Sequence, residues 1–462
     1  MEEKGRRFAD EREIIEFPSA EKSKKDSKQL KREQKQKEKN SKKLEKMLKT
    51  QRKGKRVPKS EPLAAEDNGT VSLDEEPLSR PAKKTKLNKK HIIAAVLIVV
   101  ILFGAVFFIA NPEKMSLESI SNFVKYGVMK SESDQRFPLD IQGESVSSGN
   151  FIRKGQDICF SSDTRTALLN SYGKTVFSAP HAFISPILRS SPKKTLVYNL
   201  GNTGYQIISD NKVEFSADMQ DKILVADIAE NGIYALVTQS SGYLSKLYVY
   251  NESNEQIFAY SFADYYITSV SLSSKGDRAV LSGVSALDGV NITSLYLLDF
   301  TKDTPVYFSE YENNIIYDVC YLNDNRACAV GRSAAYSFNT GSGNVEVFDY
   351  EGKTLTAYDI NTDTDTFTIS LSSSGDGRNC EIISLNSDGK RDKSFDVEEK
   401  IIDLSTYKGR VALLTNDEVM LYSKDGKAYN RKTLRSDPHA VALYTGSEAY
   451  VLCTGYIDTV SL

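Results

Sequence analysis

Hydrophobic and polar positions follow different patterns on the two sides of one long apolar run. From Ile92 to Ala110, nineteen consecutive residues carry no charged or hydrogen-bonding side chain. As a helix, this run spans roughly 28 Å, which is close to the hydrocarbon thickness of a bilayer. A buried helix of a soluble domain normally keeps a polar stripe, and this run has none. The pattern therefore predicts a transmembrane helix over 92–110.

The second pattern begins near residue 137. Short runs of Val, Ile, Tyr and Leu alternate with turn pairs such as Tyr172-Gly173, Asp388-Gly389 and Asp425-Gly426. Such runs, interrupted every eight to twelve residues, are typical of short strands joined by tight turns. The sequence predicts an all-β domain over 137–462.

A longer repeat is superimposed on these strands. Apolar strand centres recur at spacings of 38 to 48 residues, at Cys159, Val197, Ala235, Val280, Cys328, Ile369, Ala412 and Val451. A period near forty residues with about four strands in each unit is the signature of a β-propeller blade. We therefore expect an all-β ectodomain that forms a β-propeller, with eight blades favoured and seven as the alternative.

The eighth unit holds only three predicted strands before Leu462. An unassigned strand over 137–141 precedes the first unit, and we expect it to complete the eighth. Such closure leaves no long open sheet edge to pair with other chains.

Charge divides the chain in the same place. Residues 1–90 contain 28 Lys and Arg against 17 Asp and Glu, whereas the remainder has a net charge of −13. Residues 1–56 are predicted to be a disordered basic tail, 57–91 a Pro-rich acidic linker with a basic juxtamembrane end, and 111–136 a stalk with a short amphipathic helix. Five lysines crowd the N-terminal flank of the apolar run: Lys83, Lys84, Lys86, Lys89 and Lys90.

The positive-inside rule then gives the topology. We expect a single-pass protein of the cell membrane, held by an uncleaved signal anchor, with a cytoplasmic N-terminus and an extracytoplasmic C-terminal domain. The expected partners are the lipid bilayer and a protein or cell-envelope component outside. The basic tail is either solvated or binds an acidic partner or the membrane surface, and nucleic acid is not expected.

One constellation of acidic side chains suggests a binding site. Asp227, Asp318, Asp359 and Asp403 occupy similar places in the predicted innermost strands of four blades. If they face the central channel, they form an acidic ring for a cation or a basic peptide segment. The alternative is that each carboxylate accepts hydrogen bonds from the backbone of a neighbouring blade.

The cysteines and histidines point to no further chemistry. Five cysteines lie beyond the apolar run, and buried thiols are the expected state. Cys320 and Cys328 flank a predicted turn, so they are the one pair worth testing as a disulfide. No spacing suggests a metal site or cofactor, and no catalytic residue can be assigned. Trp is absent, so the blades lack the Trp-Asp signature of WD40 repeats.

Three segments carry a resemblance to a known family: RFPLDIQG at 136–143, SPILRSSPKKTLVYNLGNTGYQI at 185–207 and GIYALVTQSSGYLSKLYVY at 232–250. With the order of the parts, they make residues 90–462 resemble a bacterial family of membrane-anchored proteins whose extracytoplasmic, propeller-like domain has no known function. The resemblance implies the architecture above and assigns no catalytic residue.

Two hypotheses follow. The first is a non-enzymatic binding or scaffolding protein tethered outside the membrane, since propeller loops present a broad surface on a rigid frame. The second is an extracytoplasmic enzyme that acts on cell-envelope carbohydrate through channel carboxylates. A close pair of acids with a raised pKa at the channel mouth would favour the second, and we prefer the first.

Overall fold

The computed structural model of this chain describes residues 137–209 and 212–462. All regular elements in these residues are β-strands, arranged as eight antiparallel sheets of four strands each. The expected eight-bladed propeller is confirmed. The predicted tail, linker, transmembrane helix and stalk lie outside the described residues. Within the part of the chain that the structure describes, no helix has the length and hydrophobicity needed to cross a bilayer.

The strands of the first four blades follow the chain in simple order. Blade 1 holds β2 (Val146–Lys154), β3 (Asp157–Ser162), β4 (Arg165–Leu169) and β5 (Thr175–Pro180); blade 2 holds β6 (Pro186–Ser190), β7 (Lys194–Asn199), β8 (Gly204–Ser209) and β9 (Lys212–Asp218). Blade 3 holds β10 (Ile223–Ile228), β11 (Tyr234–Ser240), β12 (Tyr243–Tyr250) and β13 (Gln256–Phe262); blade 4 holds β14 (Tyr266–Leu272), β15 (Arg278–Leu287), β16 (Val290–Asp299) and β17 (Tyr307–Glu312).

The next three blades repeat this order, and the eighth combines both ends of the domain. Blade 5 holds β18 (Ile316–Asn323), β19 (Arg326–Gly331), β20 (Ala334–Asn339) and β21 (Val345–Asp349); blade 6 holds β22 (Thr354–Asn361), β23 (Thr366–Ser372), β24 (Cys380–Asn386) and β25 (Arg391–Val397). Blade 7 holds β26 (Asp403–Tyr407), β27 (Arg410–Leu414), β28 (Glu418–Ser423) and β29 (Ala428–Thr433); blade 8 holds β30 (Pro438–Leu443), β31 (Glu448–Cys453), β32 (Tyr456–Ser461) and β1 (Leu139–Asp140).

The ring closes as the sequence predicts. The short strand β1 pairs antiparallel with β32, with Leu139 opposite Ile457 and Asp140 opposite Tyr456. Leu139 and Ile141 are buried in a cluster that also contains residues of blade 1 and blade 8. The first strand of the domain therefore supplies the fourth strand of the last blade.

The apolar core lies between blades. The eight predicted strand centres all fall on second strands, and those from Cys159 to Val451 are at most 3 % exposed. Alternation along each strand places side chains on both sheet faces. Both faces of a blade are covered by its neighbours, as where Val237 and Val249 of blade 3 share a cluster with Leu281 and Leu298 of blade 4. This packing explains why these strands are apolar throughout.

The antiparallel order gives the ring two distinct faces. We define the lower face as the face that carries the turns between first and second strands and between third and fourth strands. The upper face carries the turns between second and third strands and the connections from one blade to the next. Since all eight blades share this order, every turn can be assigned to one face.

Candidate functional site

The first strands of the blades line a central channel, and the larger cavity in it opens on the lower face. Its volume is about 700 Å³, and its wall includes the turns after the first strands of blades 3, 4 and 5. Four of its lining residues are acidic: Asp227, Glu230, Asp324 and Asp365. Arg and Lys are absent from this lining, so the ionisable side chains in the wall are all acidic or weakly acidic.

A smaller cavity of about 410 Å³ adjoins it, and Ser190 and Thr362 line both. Asp359 and Asp403 line the smaller cavity together with the hydroxyl residues Ser405 and Thr406. The one basic residue in its wall is Arg153, at the end of the first strand of blade 1. Both volumes are in the range of pockets that bind small ligands or single side chains of a peptide.

The four predicted aspartates all lie on first strands, in blades 3, 5, 6 and 7. Three of them face the two cavities, whereas Asp318 lines neither of them. In the first strand of blade 5 the pairing register shifts between Ile316 and Asp318. Similar shifts occur in the first strands of blades 3 and 6, but Asp227 and Asp359 lie two residues beyond them, whereas Asp318 is the first residue after its shift.

The carboxylates that line the cavities also join neighbouring blades. Asp227 accepts a hydrogen bond from the backbone N–H of Leu272 in blade 4 (2.7 Å). Asp403 accepts one from the N–H of Val441 in blade 8 (2.8 Å). Asp359 accepts two from Thr406 in blade 7, from its N–H (2.7 Å) and its hydroxyl (2.6 Å). The structural alternative weighed from the sequence is therefore confirmed for these three residues.

Asp318 has different partners. One of its oxygens accepts hydrogen bonds from the Ser269 hydroxyl and from the Val319 N–H, both at 3.0 Å. Ser269 belongs to blade 4, and its hydroxyl also accepts the Val319 N–H at 3.1 Å. Asp318 thus acts in the junction of blades 4 and 5 through a side chain rather than through the backbone of that blade.

Two arginines share the channel with the aspartates, and sequence analysis missed both. Arg189 lies on the first strand of blade 2; burial lowers its pKa, but the charges of Tyr198, Asp318 and Asp227 raise it by more, so that the pKa is above its usual value. Arg153 forms an ion pair with Asp363 (2.9 Å) and lies over the ring of Tyr407 (5.4 Å). The acidic set is therefore an arc over blades 3 to 7, and the cations lie on blades 1 and 2.

Burial raises the pKa of each of the four carboxyls. For Asp227 and Asp318, hydrogen bonds and the positive charge of Arg189 partly oppose this rise. The pKa of Asp359 is raised while Thr406 and Arg153 lower it. The pKa of Asp403 reaches about 7, because burial is reinforced by the charge of Asp359. Desolvation penalises the charged form, so these acids hold their protons more tightly than acids in water.

The cysteines are all free thiols in this structure. Cys320 and Cys328 are directly opposite each other on neighbouring strands of blade 5. Cys328 is fully buried, whereas Cys320 is partly exposed in the wall of the larger cavity. Burial raises the pKa of both thiols, as expected for cysteines that serve as small apolar residues.

Neither histidine of the described residues approaches the cavities. His181 stacks on Phe183 (4.8 Å between ring centroids) and shares a hydrogen bond with the Ser161 hydroxyl. His439 shares a hydrogen bond with Thr454 (2.7 Å) on the upper face. Within residues 137–209 and 212–462, no three His, Cys, Asp or Glu side chains are grouped in a way that would hold a metal ion.

Comparison with solved structures bears on the fold. The C-terminal WD40 domain of Sif2 aligns with a TM-score of 0.52 and 11 % identity over 71 % of this chain and 99 % of that domain. BamB from Moraxella catarrhalis aligns with a TM-score of 0.45 and 10 % identity, over 70 % of this chain and all of that chain. Hydrazine synthase of Kuenenia stuttgartiensis gives 0.40 and 10 %, over 60 % and 94 %. The Sif2 likeness supports the propeller fold and, at this identity, nothing beyond it.

Sequence comparison identifies the family. A search of curated proteins found no match. One family profile covers residues 130–462, which is most of the chain and the whole of the propeller. This range includes all three segments on which the resemblance is based, at 136–143, 185–207 and 232–250. The chain belongs to DUF5711, a family of unknown function.

Proposed function

We propose that this protein is a binding or scaffolding module whose ligand site is the acidic mouth of the propeller channel. The observation that carries the proposal is the pair of adjoining cavities, about 700 and 410 Å³, with acidic walls built from several blades. In the same proposal, the apolar run over 92–110 anchors the chain in the cell membrane and places the propeller outside the cytoplasm.

The chemistry of the walls favours a cationic ligand. The larger cavity offers four carboxylates and the smaller one two, against the single guanidinium of Arg153. Backbone N–H groups of adjacent blades hold Asp227, Asp359 and Asp403 in place. A carboxylate held in this way loses little freedom on binding, so a ligand pays less for ordering the site. A protein or cell-envelope partner that inserts a Lys or Arg side chain meets these conditions.

The test is a pull-down from crosslinked membranes with four forms of the full chain. The first is the unaltered protein, and the second lacks residues 1–82. The third carries Glu230→Gln and Asp365→Asn in the cavity wall, and the fourth carries Glu252→Gln and Asp303→Asn at exposed positions on the same face. We expect the cavity variant alone to lose the partner. Loss of every partner on deletion of the tail would instead make the tail, with an acidic partner, the recognition element.

A second function is supported by one specific observation. Asp359 and Asp403 line the same cavity, both have a raised pKa, and the charge of one raises the pKa of the other. Paired acids with separated protonation states are the equipment of glycoside hydrolases. The test is hydrolysis of cell-envelope polysaccharides by the purified protein and by Asp403→Asn. We expect no activity in either form, and activity that disappears in the variant would establish the enzyme.

A further inference from the structure

The direction of the chain at blade 8 shows from which side the preceding residues arrive. Tyr456, the first residue of β32, follows the turn on the upper face, and it is opposite Asp140, the last residue of β1. Because β1 runs antiparallel to β32, the chain climbs from the lower face toward the upper face as it joins the ring. Leu462, the last residue, also lies at the lower face, where its N–H donates to the carbonyl of Ser447.

Positive charge is concentrated on the lower face around this point. In the turns of blades 7, 8 and 1 and the first turn of blade 2, counted with the flanking strand residues, the basic residues are Lys408, Arg410, Lys424, Lys427, Lys154, Lys174, Lys193 and Lys194. The acidic residues in the same turns are Asp425, Glu448 and Asp157. We call this group of turns the basic sector.

The opposite part of the lower face has the opposite sign. The corresponding turns of blades 3, 4 and 5 contain Glu230, Glu252, Glu255, Asp277, Asp299, Asp303 and Asp324 against Lys275, Arg278, Lys302 and Arg326. Two of these cations are paired closely, Lys275 with Asp324 (2.7 Å) and Arg326 with Asp388 of blade 6. We call these turns the acidic sector.

Several cations of the basic sector are exposed and placed to meet a surface. Lys408 and Lys427 are exposed, and their ammonium groups lie 5.2 and 5.3 Å from the ring centroids of Tyr407 and Tyr429. Lys193 is exposed in the first turn of blade 2. Lys424 is exposed and pairs with Asp392 (2.8 Å) at the outer edge. Exposed ion pairs of this kind are weak, so Lys424 remains available to another anion.

We propose that the basic sector docks on the phosphate-bearing headgroups of an anionic lipid bilayer. The inference rests on the proposed membrane anchor, because residues 92–110 are joined to blade 8 by the chain that arrives at this sector. Each Lys or Arg near an anionic leaflet gains free energy, and the attraction decays over a Debye length of about 8 Å at physiological salt. A cation of the basic sector is attracted to the leaflet only where it lies within that distance.

The two sectors together define an orientation. An anionic surface attracts blades 7, 8, 1 and 2 and repels blades 3, 4 and 5, so the ring tilts with its acidic side lifted. The larger channel cavity opens among the turns of the lifted blades. The tilt therefore keeps the acidic mouth open to a ligand while the basic sector is on the membrane.

The experiment uses the full chain in nanodiscs of zwitterionic lipid alone and of zwitterionic lipid mixed with phosphatidylglycerol. Acetylation rates of individual lysines are measured by mass spectrometry. We expect Lys408, Lys427 and Lys193 to react on the order of fivefold more slowly in anionic nanodiscs. Lys222 and Lys400 are exposed on the upper face and react equally in both. Salt at about 1 M removes the protection, since it shortens the Debye length to about 3 Å.

A charge-reversal variant supplies the matched comparison. In Lys193→Glu, Lys408→Glu, Lys427→Glu, the remaining reporters Lys174 and Lys424 lose their protection in anionic nanodiscs. The control Lys222→Glu, Lys400→Glu, Arg435→Glu reverses three exposed charges on the upper face and keeps the protection. Equal rates in both lipids, or protection of the upper face, overturns the proposal. So does protection by soluble polyphosphate in zwitterionic nanodiscs without protection by anionic lipid.

Failure of the anchor is recognised separately. If alkaline extraction releases the full chain from membranes, the proposed anchor is wrong. Sedimentation with anionic vesicles that the unaltered chain shows and the variant Lys193→Glu, Lys408→Glu, Lys427→Glu loses then still supports the basic sector as a lipid surface. If no vesicle sediments the released chain, both proposals are rejected.

Discussion

Single side chains in the channel line the cavities and also join neighbouring blades. Asp227, Asp359 and Asp403 are on the cavity walls, yet each accepts a hydrogen bond from the next blade. Their recurrence at similar places in the repeat is explained by this junction alone, because in each of these three cases the carboxylate satisfies an N–H in the first strand of the next blade. In the proposed function, ligand binding is an additional use of carboxylates that already join the blades.

For Asp403, burial in this junction can be measured through the pH dependence of the free energy of unfolding. Its pKa in the folded protein is about 7, above the value of 3.8 for an unperturbed Asp. Between these two values the folded state binds more protons than the unfolded state, so this residue lowers stability as pH rises toward 7. Above about pH 7 both states are ionised, and the loss is complete.

Asp403→Asn is therefore expected to remove part of this pH dependence. An Asn side-chain oxygen can still accept the N–H of Val441, but it carries no charge to desolvate. Urea unfolding at about pH 5 and about pH 8 should show the variant gaining on the order of 1 kcal/mol relative to the unaltered protein at the higher pH. An identical pH dependence in the two proteins would show that Asp403 is not desolvated in the folded state.

At the scale of structural elements, close contacts between neighbouring blades restrict which residues a turn can contain. Gly426 lies in the last turn of blade 7 with φ +86°, and a Cβ there would be 2.5 Å from the Cβ of Phe395 in blade 6. Gly409, in the first turn of the same blade, has φ +80° and no neighbour within 4 Å of a Cβ. Both turns need a left-handed backbone, but only Gly426 also needs the absence of a side chain.

Gly426→Ala should thus destabilise the protein more than Gly409→Ala. The left-handed conformation costs about 1 kcal/mol for Ala in either turn. The contact with Phe395 adds about 1–3 kcal/mol, typical of an overpacked site. Urea unfolding midpoints of the two variants measure the difference, and equal midpoints would mean that blades 6 and 7 separate easily at this turn.

In the molecule as a whole, stability depends on closing the ring. The fourth strand of blade 8 comes from the start of the domain, more than 300 residues before β32 in the chain. Because β1 is short, it can form few backbone hydrogen bonds with β32, and its buried side chains must hold it in place. Leu139 and Ile141 are 7 % and 3 % exposed in a cluster that reaches blade 1.

Replacing both Leu139 and Ile141 by Ala should weaken this closure strongly. Truncation of a buried Leu or Ile costs about 2–5 kcal/mol, so the pair should lower the free energy of unfolding by at least about 4 kcal/mol. Leu287→Ala is the control, since Leu287 is 64 % exposed on a hairpin. Thermal unfolding of the unaltered protein, the double variant and the control measures this loss. A double variant as stable as the control would show that the domain is stable without the fourth strand of blade 8.

The sequence predicts the propeller, its eight blades and the last blade shared by both ends of the domain. These features depend on patterns that are local in the chain. Strand alternation, turn pairs such as Asp425-Gly426 and the forty-residue period all act over short distances along the chain. The first strands that carry Asp227, Asp318, Asp359 and Asp403 followed from the same repeat. The cavity that Asp227 shares with Asp324 and Asp365 could not be predicted from the repeat, because those two residues belong to regions whose relative positions depend on closure of the ring.

Tertiary structure alone decided which charges meet. Arg153 and Asp363 are 210 residues apart in the chain but 2.9 Å apart in the fold. Asp318 belongs to the same sequence pattern as Asp227, Asp359 and Asp403, yet it lines neither cavity. Likewise, the lysines of blades 7, 1 and 2 form one sector only because β1 closes the ring beside β32. The repeats in the sequence determine the eight-bladed fold. The charged surfaces depend on closure of the ring, because charges far apart in the sequence meet only where the ring brings their turns together.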